Sequence, residues 1–180
     1  KITADTLSYD MNRDITYFYT DTKIESEKDL IYCNKGYYSA KTEVSEFSNH
    51  AIIYSGKQQV SADSIWYDQK KGIGRAYKNA QLVDTASKII ICGNKAEYSN
   101  DPERITVTDQ AYCIYLMEED SFYISGDTLK AYPDSSGANV LRAWHHVLMY
   151  KKDLQGVCDS LVYTERDSLV RLYYDPIVWS

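Results

Sequence analysis

The sequence predicts an all-β fold built from repeated antiparallel hairpins, with about twelve strands. Three observations support this prediction. The 180 residues include 18 Tyr but only 3 Phe and 3 Trp, and tyrosine suits a pleated, half-buried surface. A segment recurs six times at a spacing of about 30 residues. Within each copy, apolar and polar residues alternate, as they do in a sheet with one solvated face.

The repeat begins with a small residue followed by Asp or Asn, and a tyrosine usually follows four residues after the Asx. A β-branched residue precedes the small residue by two positions in five copies, and Gly156 takes this position in the sixth. The six small–Asx pairs are Ala4-Asp5, Cys33-Asn34, Ala62-Asp63, Gly93-Asn94, Gly126-Asp127 and Cys158-Asp159.

Each copy has a second apolar segment, such as Ala51-Ile52-Ile53 or Val147-Leu148-Met149. Turn-forming clusters such as Asp68–Gly72 lie between the two halves, and clusters of this kind connect hairpin strands. Each repeat is therefore predicted to be one two-stranded hairpin, and residues 1–180 are predicted to form one domain of stacked hairpins.

The strands are predicted to be creased near the small–Asx pair. Val60 and Ile65 lie five residues apart, which places them on opposite faces of a straight strand. A bend or bulge between them returns both to one side, and small residues and Asx suit such a kink. The creased sheet would form a trough with an apolar inner surface.

Composition excludes several functional classes. The net charge of −6 argues against a nucleic-acid partner, which requires a basic surface. No GxSxG, HExxH or P-loop motif occurs, so we predict no catalytic residues, no cofactor and no enzyme activity. His50 and the adjacent His145 and His146 are predicted to be structural rather than metal ligands, and no metal site is predicted.

Two polar features of the sequence each allow more than one interpretation. No CxxC pair occurs among the four cysteines, which are Cys33, Cys92, Cys113 and Cys158. Buried thiols are therefore expected, although an even number of cysteines is also compatible with two disulfides. The row of six Asx side chains is compatible with Ca²⁺ or with a basic partner. A recurring turn or bulge bond from Asx to the nearby backbone is the favoured explanation.

The repeat resembles that of the OstA-like family, which includes the periplasmic bridge of lipopolysaccharide transport and the N-terminal domain of the outer-membrane translocon. The family repeat has the form apolar-x-Ala/Gly-Asp-x-apolar-x-Tyr. Two segments match it closely, Ile2 to Tyr9 and Val60 to Tyr67. The resemblance covers the whole chain, and the many tyrosines suggest a Bacteroidetes-type member. The chain is expected to be part of a longer protein.

The resemblance implies a V-shaped antiparallel β-jellyroll that is open at both ends. It also implies lipopolysaccharide as ligand, with lipid A acyl chains in an apolar groove, and a location in the periplasm or on the periplasmic face of the outer membrane. Like subunits or other transport proteins would stack on the edge strands. The residues predicted to line the groove are Leu7, Tyr9, Tyr38, Ile65, Tyr67, Ala96, Tyr98, Leu129, Leu161 and Tyr163.

Three alternatives compete with this interpretation. The same apolar residues are also compatible with a closed core, because apolar stripes usually pack against each other. A structural or adhesive β-solenoid would have parallel coils of ~30 residues and a dry core. A carbohydrate-active β-helix would need two carboxylates ~5–9 Å apart in a cleft, and the sequence singles out no such pair.

Overall fold

The computed structural model describes residues 1–27, 29–118 and 120–180, and all of its regular elements are β-strands. Among the described residues, no helix has the length and apolar character needed to cross a membrane. The strands are β1 (Ile2–Ala4), β2 (Leu7–Asp10), β3 (Ile15–Phe18), β4 (Thr22–Glu25), β5 (Asp29–Cys33), β6 (Lys35–Ser39), β7 (Val44–Ser55), β8 (Gln58–Asp68), β9 (Ile73–Asp84), β10 (Ile89–Asn100), β11 (Glu103–Tyr115), β12 (Phe122–Pro133), β13 (Asn139–Lys151), β14 (Leu154–Thr164), β15 (Leu169–Tyr173) and β16 (Ile177–Trp179).

All sixteen strands belong to one sheet, and consecutive long strands from β7 to β14 pair as neighbours. Every strand pair in the described chain is antiparallel. The predicted antiparallel all-β fold is therefore confirmed. The parallel β-solenoid is wrong, and the same observation removes the parallel β-helix on which the carbohydrate-active alternative depended.

The strand number exceeds the predicted twelve because four of the predicted strands are each divided in two. The divisions fall between β1 and β2, β3 and β4, β5 and β6, and β15 and β16. Both halves of each division remain in the same sheet order as the continuous strands. The divisions lie at the predicted crease, so the repeat predicted the segments correctly and the crease interrupts those nearest the two ends of the sheet.

The crease itself is confirmed by the strand register. Pairing of the long strands shifts at the same level in every strand, for example between Ser61 and Ser64 and between Ser125 and Thr128. The shift returns residues five apart to one side, since Ile124 and Leu129 lie in the same core cluster. The crease divides the sheet into a first arm, which contains β1, β4, β5 and β16, and a second arm, which contains β2, β3, β6 and β15.

The backbone kink lies on the strand opposite the small–Asx pair, where the sequence interpretation had not placed it. The kinks are pairs of consecutive residues with positive φ: Asn49-His50, Lys78-Asn79, Asp109-Gln110, His145-His146 and Tyr174-Asp175. Asn, Asp and His tolerate this left-handed region better than most residues. Four of the five pairs directly precede a second apolar segment of the repeat, and Pro176 separates the fifth from its segment, so their position was a usable signal.

The Asx side chains contact these kinks rather than the neighbouring backbone. Asn79 Nδ2 donates to Asp63 Oδ1 at 3.2 Å, and His146 Nδ1 lies 2.9 Å from Asp127 Oδ2. His145 Nδ1 lies 3.1 Å from Asp159 Oδ1. The favoured explanation of a bond to the backbone is therefore wrong for these three copies. Within the described residues no cluster of three potential metal ligands is present.

The outward faces of the two arms differ in charge. In the second arm nearly every strand carries a charged residue at an outward register position: Lys35, Glu46, Asp68, Arg75, Lys95, Glu97, Arg104, Lys130, Arg142 and Arg171. Of these, Asp68 is buried. In the first arm, from β5 onward, the two outward rows contain no charged residue. One row is Leu30, Tyr54, Gln59, Val83, Ile90, Ile114, Tyr123, Tyr150, Gln155 and Trp179, and the other is Tyr32, Ile52, Ser61, Gln81, Cys92, Tyr112, Ser125, Leu148, Val157 and Ile177.

Candidate functional site

The candidate site is the inner surface of the crease. Two rows of directly paired residues cross the second arm on this surface. The row next to the crease is Leu7, Phe18, Gly36, Phe47, Ile65, Ala76, Ala96, Val107, Leu129, Ala143, Leu161 and Leu172. The row two residues further out is Tyr9, Thr16, Tyr38, Ser45, Tyr67, Gly74, Tyr98, Ile105, Ala131, Leu141, Tyr163 and Val170.

All ten predicted groove residues lie in these two rows, so the register places them on one face of the second arm. Their exposure differs with position along the sheet. Leu7, Tyr9 and Tyr98 are exposed, whereas Ile65, Leu129 and Leu161 are buried. Tyr38, Tyr67, Ala96 and Tyr163 are half-buried.

A matching row crosses the first arm and was missing from the predicted groove. It is Ile2, Ile24, Ile31, Ile53, Val60, Leu82, Ile91, Cys113, Ile124, Met149, Gly156 and Val178. Half of this row is the position two residues before each small residue, which is β-branched in five copies and is Gly156 in the sixth. The other half lies in the second apolar segments, so the signal was present in the sequence. The apolar surface therefore covers both arms.

The early part of the inner surface is only partly filled. Its core cluster lies beside the crease, where Phe18, Phe47 and Ile65 of the second arm meet small first-arm residues such as Ala51 and Ala62. The first-arm row residues Ile24, Ile31, Ile53 and Val60 are only partly buried against this cluster. Apolar side chains between the arms therefore remain accessible over the first units.

The later part of the inner surface is filled by the protein itself. Its cluster joins large residues of both arms, including Tyr115, Phe122 and Met149 from the first arm and Leu129 and Leu141 from the second. Each of these side chains is at least nine-tenths buried. Over these units the arms pack together as a closed core.

Two contacts join the outer margins of the arms in this later part. The rings of Tyr115 and Tyr163 are 4.7 Å apart at an interplanar angle of 63°, an edge-to-face arrangement that aromatic pairs favour. Asn139 Nδ2 donates to Ser87 Oγ at 3.2 Å. Burial in this closed part raises the pKa of the Tyr115 hydroxyl, as expected when the charged form loses hydration.

The four cysteines are all buried free thiols, which confirms the expectation of buried thiols. Burial raises the pKa of Cys33 to about 11 and also raises that of Cys113. Three of them, Cys33, Cys113 and Cys158, face the inner surface, whereas Cys92 lies in an outward row of the first arm. They contribute apolar volume to the core rather than nucleophiles.

The sheet is open at both ends. At one end β1 and β2 each pair with a single strand, and at the other end β15 and β16 each pair only with β14. The inner rows reach these edges, where Ile2, Leu7 and Val178 are exposed. The described chain therefore presents unpaired strand edges next to an exposed apolar surface.

No family model matches the chain, and no curated protein matches it. Among solved structures, the fold is similar to that of LptH, the LptA-homologous periplasmic component of the conserved lipopolysaccharide transport device from Pseudomonas aeruginosa. The two chains share 16% sequence identity with a TM-score of 0.57, and the match covers 65% of this chain and 82% of LptH. The chain therefore shares its creased, open β-jellyroll with a periplasmic lipopolysaccharide-transport component.

Proposed function

We propose that this chain is an OstA-like periplasmic protein that carries lipopolysaccharide, with the acyl chains lying between the two arms. The observation that carries the proposal is the pair of continuous apolar surfaces that face each other across the crease. They occur in a fold shared with a lipopolysaccharide-transport component. The physical driving force is burial of hydrocarbon, at ~0.8 kcal/mol for each CH₂ removed from water.

The accessible first units are the proposed entry site for the acyl chains. Their inward residues are partly exposed in the absence of lipid, so a bound chain would bury both its own surface and theirs. Tyrosine suits this place because its ring packs on hydrocarbon while its hydroxyl stays hydrated. Tyr38, Tyr67 and Tyr98 lie on the outer row of the second arm, at the open side of the trough.

Photo-crosslinking tests this proposal directly. A crosslinking residue at Tyr67 should capture lipopolysaccharide, whereas one at Ser64, which faces the opposite side, should not. Capture at Leu129 but not at Thr128 would show that the closed units also open to lipid. Equal capture at Tyr67 and Ser64 would refute the groove.

We also propose that like subunits or other transport proteins stack on the open edges. The pairing of β9 with β10 within one chain serves as the template for the register between two copies, and in it Ala80 lies opposite Gly93 and Ala76 opposite Ala96. The same register between the last strands of one copy and the first strands of another would place Leu172 opposite Leu7 and Val178 opposite Ile2. Stacking would therefore continue both inner apolar rows from one copy into the next.

A cysteine-pair experiment tests the stacking and its register. Leu7→Cys mixed with Leu172→Cys should form an intermolecular disulfide, since directly paired strand residues have Cβ atoms ~4.5–5.5 Å apart. Leu7→Cys mixed with Arg171→Cys is the control, because Arg171 lies one residue away on the opposite face. Absence of crosslinking in the first mixture at micromolar concentration would contradict self-stacking.

A further inference from the structure

The outward face of the first arm has the composition of a protein interface. From β5 onward its two outward rows carry no charged residue, although the outward face of the second arm is charged on nearly every strand. Eight large side chains of the first-arm face are exposed: Tyr32, Tyr54, Tyr112, Tyr123, Leu148, Tyr150, Ile177 and Trp179. Depletion of charge and enrichment of tyrosine distinguish interface cores from ordinary surface, and contiguous apolar patches of this kind mark interaction sites.

The exposed tyrosines of this face are already arranged in pairs across neighbouring strands. The rings of Tyr123 and Tyr150 are 6.2 Å apart, and those of Tyr32 and Tyr54 are 6.3 Å apart at 88°. Such contacts restrict the rings, so less side-chain entropy is lost when a partner covers them. The face is thus a broad and preorganised apolar surface.

We propose that this face, the first-arm outer face, packs against the same face of a second copy to form a two-fold symmetric dimer. In a two-fold interface the same patch occurs on both subunits, and residue i of one copy contacts residue j of the other, so every charged residue would be buried twice and would need an opposite charge on the same patch. A patch without charge avoids that cost. The proposal is independent of the groove and uses a surface other than the strand edges.

The area of the face is sufficient for a stable dimer. Ten strands at ~4.8 Å spacing and about five residues at ~3.3 Å rise give a face of roughly 800 Å². Two copies would then bury roughly 1,600 Å², within the ~1,200–2,000 Å² of specific stable interfaces. Two twisted sheets that pack face to face cross at about −30°, which this face permits because no arm or loop of the described chain covers it.

Charge disfavours a membrane as the alternative occupant. The net charge of the chain is −6, so an anionic bilayer surface would repel it, and peripheral binding to such membranes depends on clustered Lys and Arg. The first-arm outer face offers no such cluster. A second copy of the chain is not repelled at this face, which carries no charge, and its binding there requires no cluster of Lys and Arg.

Sedimentation velocity across a micromolar concentration series tests the dimer. The unmodified chain should dimerise, and Tyr123→Glu should weaken dimerisation at least about tenfold because a carboxylate would be buried without a partner. Tyr77→Glu is the matched control, because Tyr77 lies on the outward face of the second arm and has nearly the same exposed fraction, 40%, as Tyr123 has at 42%. Circular dichroism establishes that both variants fold.

Leu7→Lys separates this dimer from edge stacking, because an inward-pointing charge on an edge strand discourages strand pairing. If Leu7→Lys abolishes association and Tyr123→Glu does not, the association is edge stacking and the face-to-face dimer is wrong. A monomer at all concentrations would also overturn the proposal. Association only with anionic vesicles or with a different protein would overturn the choice of occupant.

Hydroxyl-radical footprinting of the unmodified chain provides a second test that requires no variant. Oxidation of Tyr112, Tyr123 and Tyr150 should fall as the protein concentration rises, while oxidation of Tyr77 stays constant. Equal changes at Tyr77 and Tyr123 would contradict a dimer through the first-arm outer face.

Discussion

The change in burial along one repeat position predicts a gradient of stability. Leu7, Leu129 and Leu161 occupy the same position of three repeats, two residues after the Asx, and lie in one paired row. Their relative exposures are 45%, 1% and 0%. The three Leu→Ala substitutions are therefore chemically identical changes at equivalent backbone positions, and they differ mainly in what surrounds the side chain.

The magnitudes follow from transfer and cavity terms. A fully buried leucine loses its transfer free energy and leaves a cavity, and such changes cost ~2.7–5.0 kcal/mol. We expect ~3–4 kcal/mol for Leu129→Ala and Leu161→Ala. At Leu7 about half of the side chain is already in water and the edge leaves no enclosed cavity, so ~1 kcal/mol or less is expected.

Urea denaturation followed by circular dichroism measures these differences. With a slope of ~2 kcal/mol per molar urea, the two buried substitutions should lower the midpoint by roughly 1.5–2 M. Leu7→Ala should lower it by about 0.5 M or less. If Leu7→Ala costs as much as Leu161→Ala, the inner surface is equally packed throughout, and the distinction between an open and a closed part is wrong.

Three further predictions concern the crease, a turn and the thiols. Asn79 has φ near 52°, so Asn79→Val should cost ~1–2 kcal/mol in urea denaturation, whereas Asn79→Gly should be nearly neutral. The backbone N–H and the ammonium of Lys71 lower the pKa of Asp68. The ionised Asp68 carboxylate therefore stabilises the fold at neutral pH, and this stabilisation is lost as the pH falls below the unfolded-state pKa of about 4 and through the folded-state pKa. Asp68→Asn should reduce this acid sensitivity in pH-dependent melting. Burial raises the pKa of Cys113, so a thiol reagent at pH 8 should label it only after denaturant is added, and rapid labelling of the native protein would contradict its buried position.

Sequence periodicity predicted the features that depend on local pattern. The small–Asx pair located the crease, and alternation after it placed all ten predicted groove residues on one face. The crease could be inferred because Val60 and Ile65 must lie on the same side of the sheet. Only a change of register allows two residues that are five positions apart to do so. The recurrence of the small–Asx pair in every copy predicted the kink there, whereas the positive φ values lie in pairs such as Lys78-Asn79 on the opposite strand.

Closure of the space between the arms in the later units depends on side-chain size, which the repeat pattern does not specify. At the outer margin of the first arm the early units have the small or polar residues Ser55 and Gln58, which pair directly. At the equivalent margin the later units have Tyr115 and Phe122, which also pair directly and belong to the core cluster. Larger residues fill the space between the arms and bring their margins into contact. From the sequence, the alternatives of groove and closed core were applied to the whole chain, whereas the packing between the arms differs along it: the later units are filled by their own side chains and the early units only partly.

This division sets the energetic balance of the proposed transport. In the early units an acyl chain covers inward side chains that water contacts, so both surfaces contribute to binding. In the later units the inward side chains already contact each other, and a lipid must replace those contacts and separate Tyr115 from Tyr163. The net gain there is smaller even though each buried CH₂ still contributes ~0.8 kcal/mol. Lipid would therefore rest in the early units, and its passage through the later units would require work from a partner that supplies the next lipid or pulls the arms apart.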